Sequence, residues 1–152
     1  MLVNRRKVLK GTLAFFAVGS ALISSGRLFA AWPKAAFEAK KQNNILDSLY
    51  GGAEMISSSD INIKVPNVAE NGATVPVNIS TDMDNVESIS LIVPGNRSPL
   101  AGTFESGPRG LGYVSIRIKM SETGDVVAIV KSNGKLYSAN KKVKVTLGGC
   151  GG

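Results

Sequence analysis

The chain has 152 residues, 43% of them hydrophobic, which suits one globular domain with a buried core. Its formal charge of +7 points to nucleic acid or a membrane surface until it is divided along the chain. Residues 1–30 carry Arg5, Arg6, Lys7, Lys10 and Arg27 and no acid, so the rest holds 13 basic against 11 acidic side chains, an excess of +2 that is too small for a nucleic-acid binder. The lack of any histidine also removes c-type haem ligation, nearly all zinc and copper sites, a Cys-His nucleophile pair and a Ser-His-Asp triad.

The basic start reads as an export leader. Asn4-Arg5-Arg6-Lys7-Val8-Leu9-Lys10 resembles a twin-arginine motif, and the apolar run from Gly11 to Ile23 that follows is too short to span a bilayer comfortably. Ala30 and Ala31 offer a cleavage point, expected near Ala30; the alternative is an uncleaved N-terminal anchor. Either way the folded part is expected to face a periplasm or the cell exterior. The twin-arginine route carries chains that fold before export. With no cofactor motif in view, the expectation is a protein partner and no bound cofactor.

After Trp32-Pro33, apolar residues at Ala36, Phe37, Ile45, Leu46 and Leu49 predict a short amphipathic helix over Lys34 to Leu49, stopped by Tyr50-Gly51-Gly52. Residues 53–60, polar and serine-rich, read as a connector. From Ile61 the period becomes two. Strands are predicted at Ile61–Val65, Thr74–Thr81, Glu87–Val93, Leu100–Glu105, Tyr113–Met120, Val126–Lys131 and Lys135–Leu147. Asn71-Gly72, Asp82–Asn85, Pro94-Gly95-Asn96 and Asn133-Gly134 turn the chain between them, the last as a tight hairpin. Pro66 and Pro76 mark edges or bulges. Seven short strands with no helical period after Leu49 predict an all-β, immunoglobulin-like β-sandwich with a short N-terminal helix. The expected divisions are 1–30 as leader, 31–58 as helical segment and connector, 59–147 as sandwich and 148–152 as a C-terminal arm.

A sandwich has no built-in catalytic cleft, so function is sought at its faces and ends. The glycine-rich loop Ser106-Gly107-Pro108-Arg109-Gly110-Leu111-Gly112 does not lead a strand into a helix, which makes a phosphate cradle a weak reading. Arg97, Arg109, Arg117 and Lys119 read as solvated faces before they read as an anion site. The acids are scattered singly, without calcium-loop spacing.

One stretch stands apart. Gly148-Gly149-Cys150-Gly151-Gly152 holds the only cysteine of the chain, directly after a predicted strand. Glycines bury nothing, so packing does not explain the thiol there. In an oxidising compartment an unpaired thiol suggests intermolecular pairing or reactivity. Catalytic thiols are activated by a helix N-terminus, a histidine or a close cation, and none adjoins Cys150. The nearest cations in sequence, Lys142 and Lys144, precede it on the last strand. The thiol is therefore expected to be reactive through access, with activation supplied from outside. Five residues extend roughly 17 Å at ~3.3 Å each, and a glycine chain this long has a typical span of about 12 Å. An arm without side chains beside the sulfur suits passage down a narrow channel, as a carrier of a covalently bound group requires.

These residues resemble a known family. Val143-Lys144-Val145-Thr146-Leu147 followed by Gly-Gly-Cys-Gly-Gly, together with Ala69–Val77, Arg117-Ile118-Lys119-Met120 and the twin-arginine leader, is similar to the SoxY family of sulfur carriers in thiosulfate oxidation. The resemblance implies an immunoglobulin-like sandwich in a heterodimer with SoxZ, and Cys150 as the point of covalent substrate attachment on a swinging arm of Gly148, Gly149, Gly151 and Gly152. It further implies transient docking to SoxAX, a haem c enzyme that oxidatively joins thiosulfate to the thiol. SoxB, a manganese-dependent hydrolase, then removes sulfate, and in systems that have it SoxCD oxidises the remaining sulfane sulfur. The carrier would not itself be an enzyme. The competing reading is a secreted structural sandwich that uses Cys150 for an intermolecular disulfide. A thiol-disulfide oxidoreductase fits poorly without a second cysteine.

Overall fold

The computed structural model describes residues 33–107 and 110–146; the predicted leader, Pro108, Arg109 and the segment 147–152 lie outside them. In chain order the elements are α1 (Lys34–Glu38), α2 (Gln42–Tyr50), β1 (Met55–Ser57), β2 (Ile61–Lys64), β3 (Val68–Ala69), β4 (Val75–Thr81), β5 (Val86–Ile92), β6 (Leu100–Glu105), β7 (Tyr113–Ile118), β8 (Gly124–Ser132) and β9 (Lys135–Val145).

The strands form two sheets. The smaller is antiparallel with order β2-β4-β7; the larger runs β1-β9-β8-β5-β6, with β3 also on β9. Period-two alternation puts Ile61 and Ile63 of β2, Val75, Val77 and Ile79 of β4 and Ile118 of β7 on one face, where they meet Ile89, Leu91, Val126, Ala128, Val130 and Val143 of the larger sheet. A second cluster lies on the opposite face of the larger sheet, where Ala36, Ile45 and Leu46 of the helices pack on Ile92, Leu100, Ile129 and Leu136. β5 and β8 are thus buried on both faces. This explains why Val126–Lys131 reads as a nearly continuous apolar run.

The predicted strands are all present. Asn133-Gly134 makes the expected hairpin, with φ of 49° and 72°, the left-handed pair that a two-residue turn requires. Three readings change. The helix of 34–49 is broken: Ala39 and Lys41 are extended, so α1 and α2 each turn their apolar residues onto the sheet. The stretch read as a connector contains β1, which pairs parallel with Leu136–Ser138. β4 is the middle strand of its sheet and not an edge, but its pairing with β2 stops at Asn78, so Pro76 faces a partner on the β7 side alone. The missing N–H of proline leaves no ladder bond unmade on that open side.

β9 has an unusual outer edge. β1 covers Leu136–Ser138 and β3 covers Lys144–Val145, both parallel, and between them residues 139–143 pair with β8 only. Lys141 and Lys142 stand exposed in that gap.

Candidate functional site at the root of the C-terminal segment

Cys150 and the four glycines Gly148, Gly149, Gly151 and Gly152 lie outside the described residues. The structure does describe what they are attached to, the end of β9. Its pairing with β8 stops at Gly124↔Val143. Beyond that point β9 is held from both sides by other groups. On one side the Lys144 N–H donates to the Asn67 carbonyl at 2.9 Å and the Thr146 N–H to the Ala69 carbonyl at 3.0 Å, which is the β3 pairing. On the other side the hydroxyl of Thr123 accepts from the Val145 N–H at 2.9 Å and donates to the Val145 carbonyl at 3.3 Å.

The same end of the sandwich is stitched together by loops. The Met120 N–H donates to the Gly72 carbonyl at 2.7 Å. A Cβ on Gly72 would collide with the Met120 carbonyl oxygen and stand 2.8 Å from the Val145 side chain, so only glycine lets this loop lie against the strand end. Asn96 donates to the Lys119 carbonyl at 2.6 Å and accepts from the Ser121 N–H at 2.9 Å, which ties the β5–β6 loop to the β7–β8 loop. Val143, Ala69 and Met120 are buried beneath. Lys142 and Lys144 are exposed, with Glu70 and Glu122 on neighbouring loops. The described ion pairs, Lys34–Glu38 and Lys131–Glu87, involve none of these four.

The remaining candidates fall elsewhere. Arg97, Arg117 and Lys119 are exposed and make no ion pair among the described residues, and Arg109 is outside them. The loop 106–112 joins two strands, and its Gly112 carbonyl accepts from the Thr81 N–H at 2.8 Å, which packs the loop against the end of β4. A shallow polar depression of about 420 Å³ lined by Asp60, Asn62, Thr81 and Asp82 sits at that end of β4, remote from the root of the C-terminal segment. Among the described residues no three His, Cys, Asp or Glu side chains gather to hold a metal, and no helix is long and apolar enough to cross a membrane.

The anchoring residues β3, Gly72 and Thr123 were not identified as such from sequence. Val68-Ala69 is too short to show a period, and a lone threonine in a polar loop carries no pattern. The signal that was available is the Asn71-Gly72 turn, which marks where the chain doubles back beside Val145.

The described residues define an immunoglobulin-like sandwich whose final strand is locked at its end and continues into a glycine-flanked cysteine. Comparison with known proteins gives that architecture a family. The profile described as sulfur oxidation protein SoxY matches residues 46–150. The structure is similar to that of the sulfur carrier protein SoxY from Chlorobium limicola f thiosulfatophilum, with 38% identity and a TM-score of 0.65 over 70% of this chain and 97% of that one. The chain therefore belongs to the SoxY family, the sulfur carriers of the Sox thiosulfate-oxidation system, which hold sulfur for other proteins and are not themselves catalytic. Similarity to a superoxide reductase (neelaredoxin) from Ignicoccus hospitalis, at 21% identity and a TM-score of 0.50 over 57% of this chain and 80% of that one, concerns the fold alone. A singly substituted form of that reductase is similar at 18% identity and a TM-score of 0.53 over 60% of this chain and 94% of that one. A search of curated protein sequences returns no match.

Proposed function

We propose that this carrier holds its sulfur cargo covalently on Cys150 and works in the periplasm, exported by the twin-arginine leader of residues 1–30. The observation that carries this reading is the single cysteine, set between paired glycines directly after a strand end that is locked on both sides. In the first step the thiol joins thiosulfate through a new S–S bond, releasing one proton and two electrons to the haem enzyme SoxAX. SoxB then hydrolyses the terminal sulfonate, releasing sulfate and leaving a persulfide on Cys150. Where SoxCD is present it oxidises the remaining sulfane sulfur.

The division of labour follows from the residues. The sandwich, residues 59–147 in the sequence reading, presents the arm of 148–152 and pairs with SoxZ. Gly148, Gly149, Gly151 and Gly152 keep the approach to the sulfur slim. Nothing on the described surface near the strand end combines a helix N-terminus with a cation, so activation of the thiol falls to the partner enzymes.

Mass spectrometry of the protein with its SoxZ partner, after incubation with thiosulfate and the cognate SoxAX enzyme, tests the proposal. A thiosulfonate adduct is expected on Cys150 and none on Cys150→Ser, which should fold normally. A wild-type protein recovered only as a disulfide dimer would instead support the structural-sandwich reading.

A further inference from the structure

At the end of β9 a side chain stands where a neighbouring strand would otherwise be. β8 stops pairing at Gly124↔Val143, and Thr123, the residue just before β8, reaches past that point with its hydroxyl. It accepts from the Val145 N–H at 2.9 Å and donates to the Val145 carbonyl at 3.3 Å, using one oxygen to satisfy both backbone groups of one residue. Thr123 is exposed, so core packing does not account for this placement. On the opposite edge Lys144 and Thr146 bond to β3.

We propose that Thr123 is a positioning residue that fixes where the carrier arm begins; this rests on the reading of Cys150 as the attachment point. With Val145 held, four residue steps separate Thr146 from Cys150, which confines the cysteine within about 13 Å of the strand end at ~3.3 Å per step. Without the clamp on Val145 the strand end frays back toward Val143, where β8 pairing resumes. Each freed residue lengthens the arm. A longer tether dilutes its own end, because effective concentration falls roughly as the −3/2 power of length. Going from four to seven free steps lowers it about twofold to threefold on that scaling. Thr123 thereby sets the local concentration of the thiol inside a docked enzyme without touching the cargo.

The test uses the variants Thr123→Val, which keeps the shape and loses the hydroxyl, and Thr123→Ser, which keeps the hydroxyl. Hydrogen exchange at the Val145 amide should quicken roughly fivefold in Thr123→Val, as loss of one modest hydrogen bond predicts, and return to the wild-type rate in Thr123→Ser. A nitroxide on Cys150 paired with a second on Lys135→Cys, at the far end of β9, should give a broader distance distribution with a longer tail in Thr123→Val alone. Sulfur transfer with the partner enzymes should show kcat reduced about twofold with KM for the carrier unchanged. Thr123→Ala serves if Thr123→Val misfolds. Distance distributions that superimpose overturn the inference, as do altered distances with unaltered kcat. If the wild type takes up no thiosulfate at all, the carrier reading fails while the exchange and distance results still decide whether Thr123 holds the strand end.

Discussion

At the scale of single residues, the most strongly coupled charge pair lies away from the arm, at the β8–β9 hairpin. Glu87 of β5 is 2.6 Å from the Lys131 ammonium and also accepts from the Gly134 N–H at 2.6 Å. The Lys131 hydrogen bond first, then that of Gly134, lowers the carboxyl below its ordinary value of 4.5. Glu87 in turn raises Lys131 above its ordinary 10.5, through its hydrogen bond and then its charge. A carboxyl lowered on folding contributes stability that is fully present above its ordinary range and lost as pH falls through the folded value. The lysine, raised on folding, contributes below its ordinary range and loses that contribution as pH rises through its folded value. Chemical denaturation across pH should therefore show a steeper loss in the wild type than in Glu87→Gln, both below about pH 4.5 and above about pH 10. Both side chains are solvated, so the difference should be small and reduced by salt. Residues of this kind separate what sequence shows from what it hides. Cys150 was legible because it is the only cysteine and its neighbours are glycines. Glu87 and Thr123 were not, since an acid or a threonine gains meaning only from what the fold brings beside it.

At the scale of elements, period-two alternation located seven strands, since each buries one face or both. The failures share one cause. β1 and β3 are three and two residues long, shorter than any period, and they exist because β9 offers them a parallel edge. The break in the N-terminal helix likewise answers to the sheet beneath it. Ala36 belongs to one helix and Ile45 and Leu46 to the other, yet all three reach the same cluster. Polar contacts pin α2 as well: Ser90 donates to the Thr103 hydroxyl at 2.8 Å, and the Tyr50 hydroxyl completes the chain at 2.7 Å from Ser90. Ile45 is fully buried against Ile92, Ile129 and Leu136. Ile45→Ala should cost about 2–4 kcal/mol, read as a lower midpoint in urea denaturation. If the cost were near zero, the helices would not belong to the folding unit.

At the scale of the molecule, the core uses residues between Ala36 and Val143, and no member of either buried cluster follows β9. Support and cargo are therefore separable. A chain ending at Thr146 should keep the wild-type thermal midpoint within about 2 °C, since a residue outside the core contributes little. It should lose all uptake of thiosulfate-derived sulfur, which mass spectrometry would register. A large fall in the midpoint would mean that the terminal segment packs on the sandwich. The fold class and the carrier segment were legible in sequence because each leaves a repeated or singular pattern. The anchoring end was not, because it is assembled from three loops distant in the chain.

The gap in the outer edge of β9 carries a further consequence. A row of free backbone groups invites another copy to add itself as a strand, the usual beginning of aggregation. Here the invitation is kept short by β1 and β3, and it is guarded by Lys141 and Lys142. Copies that annealed side by side along this strand would bring two C-terminal cysteines together in a compartment that favours disulfides. The lysines that keep the edge soluble thus also keep the thiol single.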